Sequence, residues 1–378
     1  MRTSRLLTAA LATGTTAACL TACSGTATPA DPAATGKIAI HAADTSCTAA
    51  ASTAPAGTAV FAISNEGSKV TEFYVYAEGD RVLGEVENIL PGVTRDLHVE
   101  LPAGAYQLTC KPGMVGAGVR TALHVTGSSA PLTADAALAE AAASYQRYVT
   151  TESAGLQQKT KEFTDAVKAG DLAKAKALYP VARTYWERIE PIASSFGDLD
   201  PKVDGRADTI EPGAEFTGFH RLEKDLWQTG DISDSGPIAD RLTTDIAEIA
   251  ARSTAVRLSP LALANGAKSL LDEIATGKIT GEEDRYSHTD LWDFAANIEG
   301  SKAAIAALRP VLQQRSPDLI AQVDAGFATV DAALAKHRAG DGYRLHTELS
   351  KADLKELSDV INALAEPVSR VAAAITRQ

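Results

Sequence analysis

Cysteine, methionine and aromatic side chains are scarce in this chain, with four cysteines, two methionines and 5% aromatics among 378 residues. So few aromatics give little material for a groove that stacks bases or sugars, and a polysaccharide-binding or other non-metal ligand-binding module gains little support. Beyond the N-terminal stretch, no apolar run reaches the ~18 residues that a membrane-spanning helix needs. Basic residues are outnumbered 36 to 48, and the net charge of −12 argues against nucleic acid or an anionic membrane surface as the partner. No GxSxG elbow, phosphate loop or dinucleotide fingerprint is present. Neither HExxH nor HxxEH occurs, because Arg221 and Lys224 stand at the decisive positions around His220 and Glu223. A metallopeptidase built on His220 and Glu223 would therefore lack its second imidazole.

What is there begins with an address. Arg2 and Arg5 precede an apolar stretch from Leu6 to Leu20, the two parts of a secretory signal. It ends in Leu20-Thr21-Ala22-Cys23, which looks like a bacterial lipobox with Cys23 as the lipidated new N-terminus. An ordinary cleaved signal also carries small residues at its end. The polar run Ser24 to Thr35 fits a lipoprotein tether, and the expected anchor is lipid rather than a helix. Removing residues 1–22 takes two arginines and no acid, which brings the net charge to −14.

Cys19 would leave with the signal and Cys23 would carry the lipid. Cys47 and Cys110 then remain as a pair in an oxidising compartment. A bridge between them would close a loop of about 63 residues and contribute about 4 kcal/mol in the chain-entropy account. A thiolate metal site is the alternative.

The rest of the chain has two textures. Residues 36–126 alternate apolar and polar in segments such as 59–64, 71–76, 94–99 and 119–125. Turn signals separate them, among them Asn65-Glu66-Gly67 and Leu90-Pro91-Gly92, and predict an all-β sandwich of roughly seven strands. Residues 127–132 read as a linker. Residues 133–378 predict an all-α bundle of about eight helices, with a non-helical crossing from Gly197 to Pro212. Asp171, Ser259-Pro260, Ser287 and Ser316-Pro317 read as helix starts, and Gly170, Gly230, Gly277 and Gly340 as helix ends.

Candidate chemistry lies in both parts. Cys110-Lys111-Pro112-Gly113-Met114 near the end of the sandwich invites comparison with a cupredoxin. It lacks the histidine a blue-copper loop places between cysteine and methionine, and His41, His98 and His124 fall within strand patterns, so copper is not expected there. A weaker cation site using Glu72, Met114 or the two cysteines stays open. In the helical part, Glu187 and Glu190 lie three apart on one helical face, as do His220 and Glu223. An acidic stretch runs from Phe196 to Asp204, and Ser287-His288-Thr289-Asp290-Leu291-Trp292-Asp293 forms a further polar group. Helix-borne carboxylates and histidines at this spacing build metal centres inside bundles. Hard oxygens with one or two imidazoles suit Fe(III), Fe(II), Mn or Zn rather than Cu(I). Each group also has a plainer reading: Glu187 and Glu190 pair with Arg183 or Arg188 on a solvated face, and Asp290 serves a capping box with Ser287.

With these residues in view, the sequence resembles the EfeO family, extracytoplasmic components of bacterial iron-uptake systems, over essentially the whole mature chain. The resemblance is carried by Glu187-Arg188-Ile189-Glu190-Pro191, Phe196-Gly197-Asp198-Leu199-Asp200-Pro201, Phe219-His220-Arg221-Leu222-Glu223 and Tyr286-Ser287-His288-Thr289-Asp290-Leu291-Trp292. The helical part is similar to imelysin-like proteins, once classed as peptidases. The resemblance implies a cupredoxin-like domain followed by an imelysin-like domain, and an iron-binding lipoprotein that is not an enzyme. It would work beside a membrane iron permease and a haem peroxidase-like partner. It implies a metal site of Glu187, Glu190, Asp204, His220, Glu223 and His288, with iron, Fe2+ or Fe3+, as the ion; by the chemistry of these donors zinc also fits in vitro. A second site would use Cys47, Glu72 and Cys110, unless those cysteines are oxidised.

Overall fold

Period-two alternation builds the N-terminal part. In the computed structural model, which describes residues 36–210 and 213–377, nine strands form two facing sheets ahead of the first helix. The leader, Cys23 and the tether to residue 35 lie outside the described residues. The strands are β1 (Lys37–Ala42), β2 (Cys47–Ala49), β3 (Thr53–Pro55), β4 (Gly57–Asn65), β5 (Thr71–Ala77), β6 (Arg81–Ile89), β7 (Thr94–Leu101), β8 (Gly104–Pro112) and β9 (Val119–Thr126). One sheet runs β2-β1-β4-β7 and the other β3-β9-β8-β5-β6. β1 pairs with β4, and β3 with β9, in parallel.

Every second residue of β4 (Ala59, Phe61, Ile63) and of β7 (Leu97, Val99, Leu101) points inward, with Phe61 opposite Leu97 in register. Phe61 meets Phe73 of the other sheet, ring centroids 5.7 Å apart. Each such fully buried side chain contributes roughly 1.5–3 kcal/mol. Cys47 on the first sheet and Cys110 on the second are joined by a disulfide of 2.02 Å between buried strands.

Nine strands form where roughly seven are expected, and those the alternation did not mark are two short strands, β2 and β3, and one long one. The long one, β6, lies at the edge of the second sheet with register shifts against β5. Its Gly84, Glu85, Glu87 and Asn88 hide the alternation, because this strand meets the helical part as well as β7 of the other sheet. Gly84 sits against Val99, where a Cβ would come within 2.9 Å of a methyl group.

The helical part comprises α1 (Ala136–Lys168), α2 (Leu172–Ile189), α3 (Asp200–Asp204), α4 (Gly218–Glu223), α5 (Gly236–Ser253), α6 (Pro260–Thr276), α7 (Asp290–Arg315), α8 (Pro317–Ala335), α9 (Lys351–Ser369) and α10 (Val371–Thr376). Asp171 and Ser259 cap α2 and α6, accepting from the Lys174 and Ala262 backbone N–H at 3.0 and 3.1 Å. α7 runs through the centre, buried on nearly every side in its first half and packed on α1, α2 and α6.

Three expectations need correction. The crossing from Gly197 is not wholly irregular: a 3-10 stretch (Glu190–Leu199) leads directly into α3. Gly340 does not end a helix but turns a hairpin, β10 (Arg338–Ala339) and β11 (Gly342–Tyr343). Ser287 is not the cap of α7; Thr289 is, and Ser287 turns elsewhere.

β6 and β7 lie against α6, where Asn265 Nδ2 donates to the His98 carbonyl at 2.7 Å. Between the two parts opens a cleft of about 850 Å³. Glu72, Glu85 and Glu87 line one wall, and Glu190, Asp200 and Glu273 the other, with Asp204 and Glu283 also reaching it. No helix among the described residues is long and apolar enough to cross a membrane.

Candidate metal centre

The HxxE segment owes its position to a glycine. Gly218 opens α4 at φ +81°, and a Cβ there would overlap the Val203 carbonyl oxygen. This close approach sets α4 against α3, supported by Thr217 Oγ1 donating to the Lys202 carbonyl at 2.8 Å. His220 and Glu223 thereby face inward, fully buried, beside Asp204 at the end of α3.

His220 is the hub. Its Nδ1 lies 3.1 Å from Glu223 Oε2 and 4.0 Å from Asp284 Oδ1. Its Nε2 lies 3.4 Å from both Asp204 Oδ1 and Glu283 Oε1, within ion-pair range but without a hydrogen-bond partner. Two sets of donor atoms, Asp204–His220–Glu283 and His220–Glu223–Asp284, each lie within 4.8 Å of one another, a spacing that can hold a metal ion.

The carboxylates are held from behind. Glu223 Oε1 accepts from the Tyr286 and Ser287 backbone N–H and the Ser287 hydroxyl at 2.8–2.9 Å. Asp284 accepts from the Tyr179 hydroxyl at 2.8 Å and the Thr289 hydroxyl at 2.5 Å, and Asp204 from Trp186 Nε1 at 2.8 Å. Such supporting bonds orient ligand oxygens.

Two buried cations complete the centre. Arg183, on α2, contacts Glu187, Asp204, Glu283, Asp284 and Asp293. Lys278, just after α6, contacts Glu187 and Glu190. Asn297 Nδ2 donates to Glu187 Oε2 and Glu190 Oε2 at 3.0 and 2.8 Å. The Arg183–Glu187 pairing anticipated on a solvated face thus exists in the interior, while Arg188 pairs outside with Glu152 and Glu299.

Electrostatics follow from this packing. Burial and the Arg183 charge press His220 toward its neutral form, but Asp204, Glu223 and Glu283 outweigh them and hold its pKa well above the ordinary value. Burial raises Asp204 and Glu223, yet Arg183 and His220 for the first, and His220 with the backbone N–H groups for the second, carry both below the usual carboxylate range. Glu187, buried beside Glu190, is pushed up to about 8 despite Lys278 and Arg183.

The structure brings Glu187, Glu190, Asp204, His220 and Glu223 into one buried region. His288 is not part of it. Its backbone is left-handed at φ +59°, its N–H donates to the Asp284 carbonyl at 2.7 Å, and its carbonyl accepts from His346 N–H at 2.8 Å. Among the described residues, none of the metal-capable groups includes the His288 side chain. It turns the chain so that Ser287 meets Glu223 and Thr289 meets Asp284. Glu283, Asp284 and Lys278 were missed, while Arg183 was read only as a surface partner of Glu187 and Asp293 only as part of a polar segment. Asp293, three after Asp290 within a segment already singled out, was the one with a readable signal.

In the sandwich, the Cys47–Cys110 bond removes both thiolates from a Cys47–Glu72–Cys110 site. Glu72 accepts from the Tyr74 hydroxyl at 3.0 Å and lies 4.0 Å from Lys111 Nζ.

A domain of strands whose facing sheets carry no blue-copper set, joined to a bundle organised around one HxxE histidine, has relatives. Residues 141–371 match the imelysin family and residues 14–122 the cupredoxin-like domain family. The iron uptake system component EfeO of Escherichia coli O157:H7 is 43% identical over 87% of this chain and 88% of its own length. Those of Escherichia coli K12 and Shigella flexneri are 42% identical over the same shares. The chain belongs to the EfeO family. A solved structure from Parabacteroides distasonis, described as an iron-regulated protein A precursor, shares its fold with part of this chain. Its TM-score is 0.51 at 15% identity, over 63% of this chain and 96% of that one. As an EfeO-family member, the chain is an iron-uptake component with a cupredoxin-like sandwich and an imelysin domain.

Proposed function

We propose that this EfeO-family chain binds iron, Fe2+ or Fe3+, as cargo in its imelysin domain and passes it to a membrane permease of the same uptake system, beside a haem peroxidase-like partner. The observation that carries the reading is His220 Nε2, buried and without a hydrogen-bond partner, with the Asp204 and Glu283 oxygens 3.4 Å away. One imidazole nitrogen with several carboxylate oxygens suits iron, and zinc in vitro, better than copper(I). Glu223 and Asp284 hold the other side of the ring. Ion entry displaces the His220 proton, so capture strengthens as pH rises and protonation opposes it.

Cys23 places this work on the outer face of the membrane in the same proposal. A lipid there, with the polar run to Thr35, raises the effective concentration of the binding domain near its permease. In the same reading the chain is a carrier rather than a peptidase, since Arg221 and Lys224 stand where a zinc peptidase would place its glutamate or second histidine.

Calorimetric titration with Fe2+ under anaerobic conditions, and with Zn2+, tests the site. A His220→Ala, Glu223→Ala double variant is expected to lose binding, and unchanged affinity would sink the assignment. Cys23→Ser is expected to release the protein from membranes with its metal affinity intact. Chelator-sensitive cleavage of a peptide library would revive the peptidase.

A further inference from the structure

Arg183 occupies the centre of the buried acids rather than their edge. Its side chain is fully buried, with Nη1 on Asp204 Oδ1 and Nη2 on Glu187 Oε1. Nη2 also lies 3.2 Å from Glu283 Oε1, and Nε lies 2.8 Å from Asp293 Oδ2 and 3.4 Å from Asp284 Oδ1. Two of these oxygens, Asp204 Oδ1 and Glu283 Oε1, are the same atoms that face His220 Nε2.

A guanidinium keeps its proton at any working pH and has no lone pair to offer. It is therefore a permanent cation that can be neither ligand nor proton source. Of the four groups of acids and histidine spaced to hold a metal among the described residues, two contain His220. The other two are Glu187–Glu283–Asp293 and Glu187–Glu190–Asp204. In the first, all three carboxylates are paired with Arg183. In the second, Lys278 holds Glu187 and Glu190, and Arg183 holds Asp204. Bundles whose interiors are this rich in carboxylates commonly hold two metal ions about 3.5–4 Å apart. Here the second position is already filled by side chains of the protein.

We propose that Arg183 stands in for a second metal ion: its guanidinium fills the Glu187–Glu283–Asp293 position and limits the imelysin domain to one ion, at the His220 face. This rests on the iron-binding reading above. It makes Arg183 a stoichiometry-determining and positioning residue, fixing the Asp204 and Glu283 oxygens between itself and His220.

The test counts zinc in the full chain loaded with Zn2+ alone, by elemental analysis after desalting. Wild type is compared with His220→Ala and with Arg183→Met, which keeps much of the side chain's reach and removes its charge. Ions bound elsewhere add equally to all three. Wild type is expected to exceed His220→Ala by one ion per chain, and Arg183→Met to exceed wild type by one. Equal counts in wild type and folded Arg183→Met overturn the inference and leave the iron-binding reading standing. Equal counts in wild type and His220→Ala overturn that reading itself. Should Arg183→Met fail to fold by circular dichroism, anomalous diffraction from zinc-soaked wild-type crystals decides. An ion at His220 alone supports the inference, and one within Glu187–Glu283–Asp293 overturns it.

Discussion

Gly218 and Val203 meet so closely that the glycine has no room for a side chain: a Cβ would overlap the Val203 carbonyl oxygen, and φ is +81°. This contact sets α4 on α3 and so fixes the distance from His220 to Asp204. Gly218→Ala must distort the junction, and the left-handed backbone adds its own cost, together more than about 1 kcal/mol. The expected result is a lower unfolding midpoint with weakened Zn2+ affinity. Unaltered affinity in the titration would show that the α3–α4 junction does not position the site.

Lys278 is the only ammonium contacting Glu187 and Glu190 among the described residues, with its Nζ 3.0 Å from Glu190 Oε2 and both its side chain and that of Glu187 fully buried. Burial presses the lysine toward neutrality, but Glu187 and Glu190 outweigh it and keep it charged. Lys278→Met leaves Glu187 and Glu190 without their buried ammonium, a change that costs up to about 3–5 kcal/mol when one partner of a buried ion pair is removed, and less where the acids take up protons. Denaturant unfolding of Lys278→Met, and of Lys278→Met with Glu187→Gln and Glu190→Gln, measures it. The added glutamines are expected to recover much of the loss, and a loss under about 1 kcal/mol in the single variant would contradict the pairing.

Much of this was legible in the chain itself. The alternation at Ala59, Phe61 and Ile63 marks an inward face because one side of that strand meets the opposite sheet, and Asp171 and Ser259 announce their helices through side-chain chemistry that is local. β6 was not legible, because its Glu85 and Glu87 face a cleft created only when the helical part packs beside it. The HxxE pair was visible at helical spacing, as were Glu187 and Glu190. Arg183, Lys278 and Glu283 were not, since a charge on a helix or loop reads as solvated until tertiary packing surrounds it with opposite charges. His288 misled for the converse reason: a histidine beside a polar segment reads as a ligand, whereas here its backbone does the turning.

The disulfide gives a domain-specific prediction. Cys47 and Cys110 tie the two sheets of the sandwich far along the chain from the metal centre. The Cys47→Ala, Cys110→Ala variant is expected to lose about 4 kcal/mol of sandwich stability. Zinc bound by the helical part, counted against His220→Ala in the same background, should not change. A fall in that difference would mean that the sandwich shapes the centre.

His288 separates the observed geometry from the ligand set that resemblance alone implies. His288→Ala is expected to change Zn2+ affinity by no more than about twofold, ~0.4 kcal/mol. His288→Gly, which relaxes the left-handed backbone, should bind equally well. A tenfold loss in His288→Ala with retained thermal stability would return His288 to the ligand set.

The cleft predicts how stability varies with pH. Glu87 is raised to about 8 by burial, with Glu85 and Asp200 adding, and Asp200 is raised to about 8 by burial, with Asp204 and Glu85 adding. Glu85 is raised to about 7, by burial first and Glu72 next, against the opposing Ser194 and Lys111. Glu273 is raised to about 8 by burial, with Lys278 opposing and Glu87 adding. In the unfolded chain these groups return to ordinary values of 4.5 for Glu and 3.8 for Asp. The folded state then holds protons that the unfolded state has lost, so stability falls as pH rises through this window. The penalty is absent below the unfolded pKa and complete once pH passes about 8. Glu87→Gln with Asp200→Asn removes two of the titrating groups. Thermal unfolding of the metal-free chain should therefore show the double variant gaining on wild type at pH 8 and not at pH 4. An equal gain at both would mean that packing, rather than charge crowded between the walls, separates the two proteins.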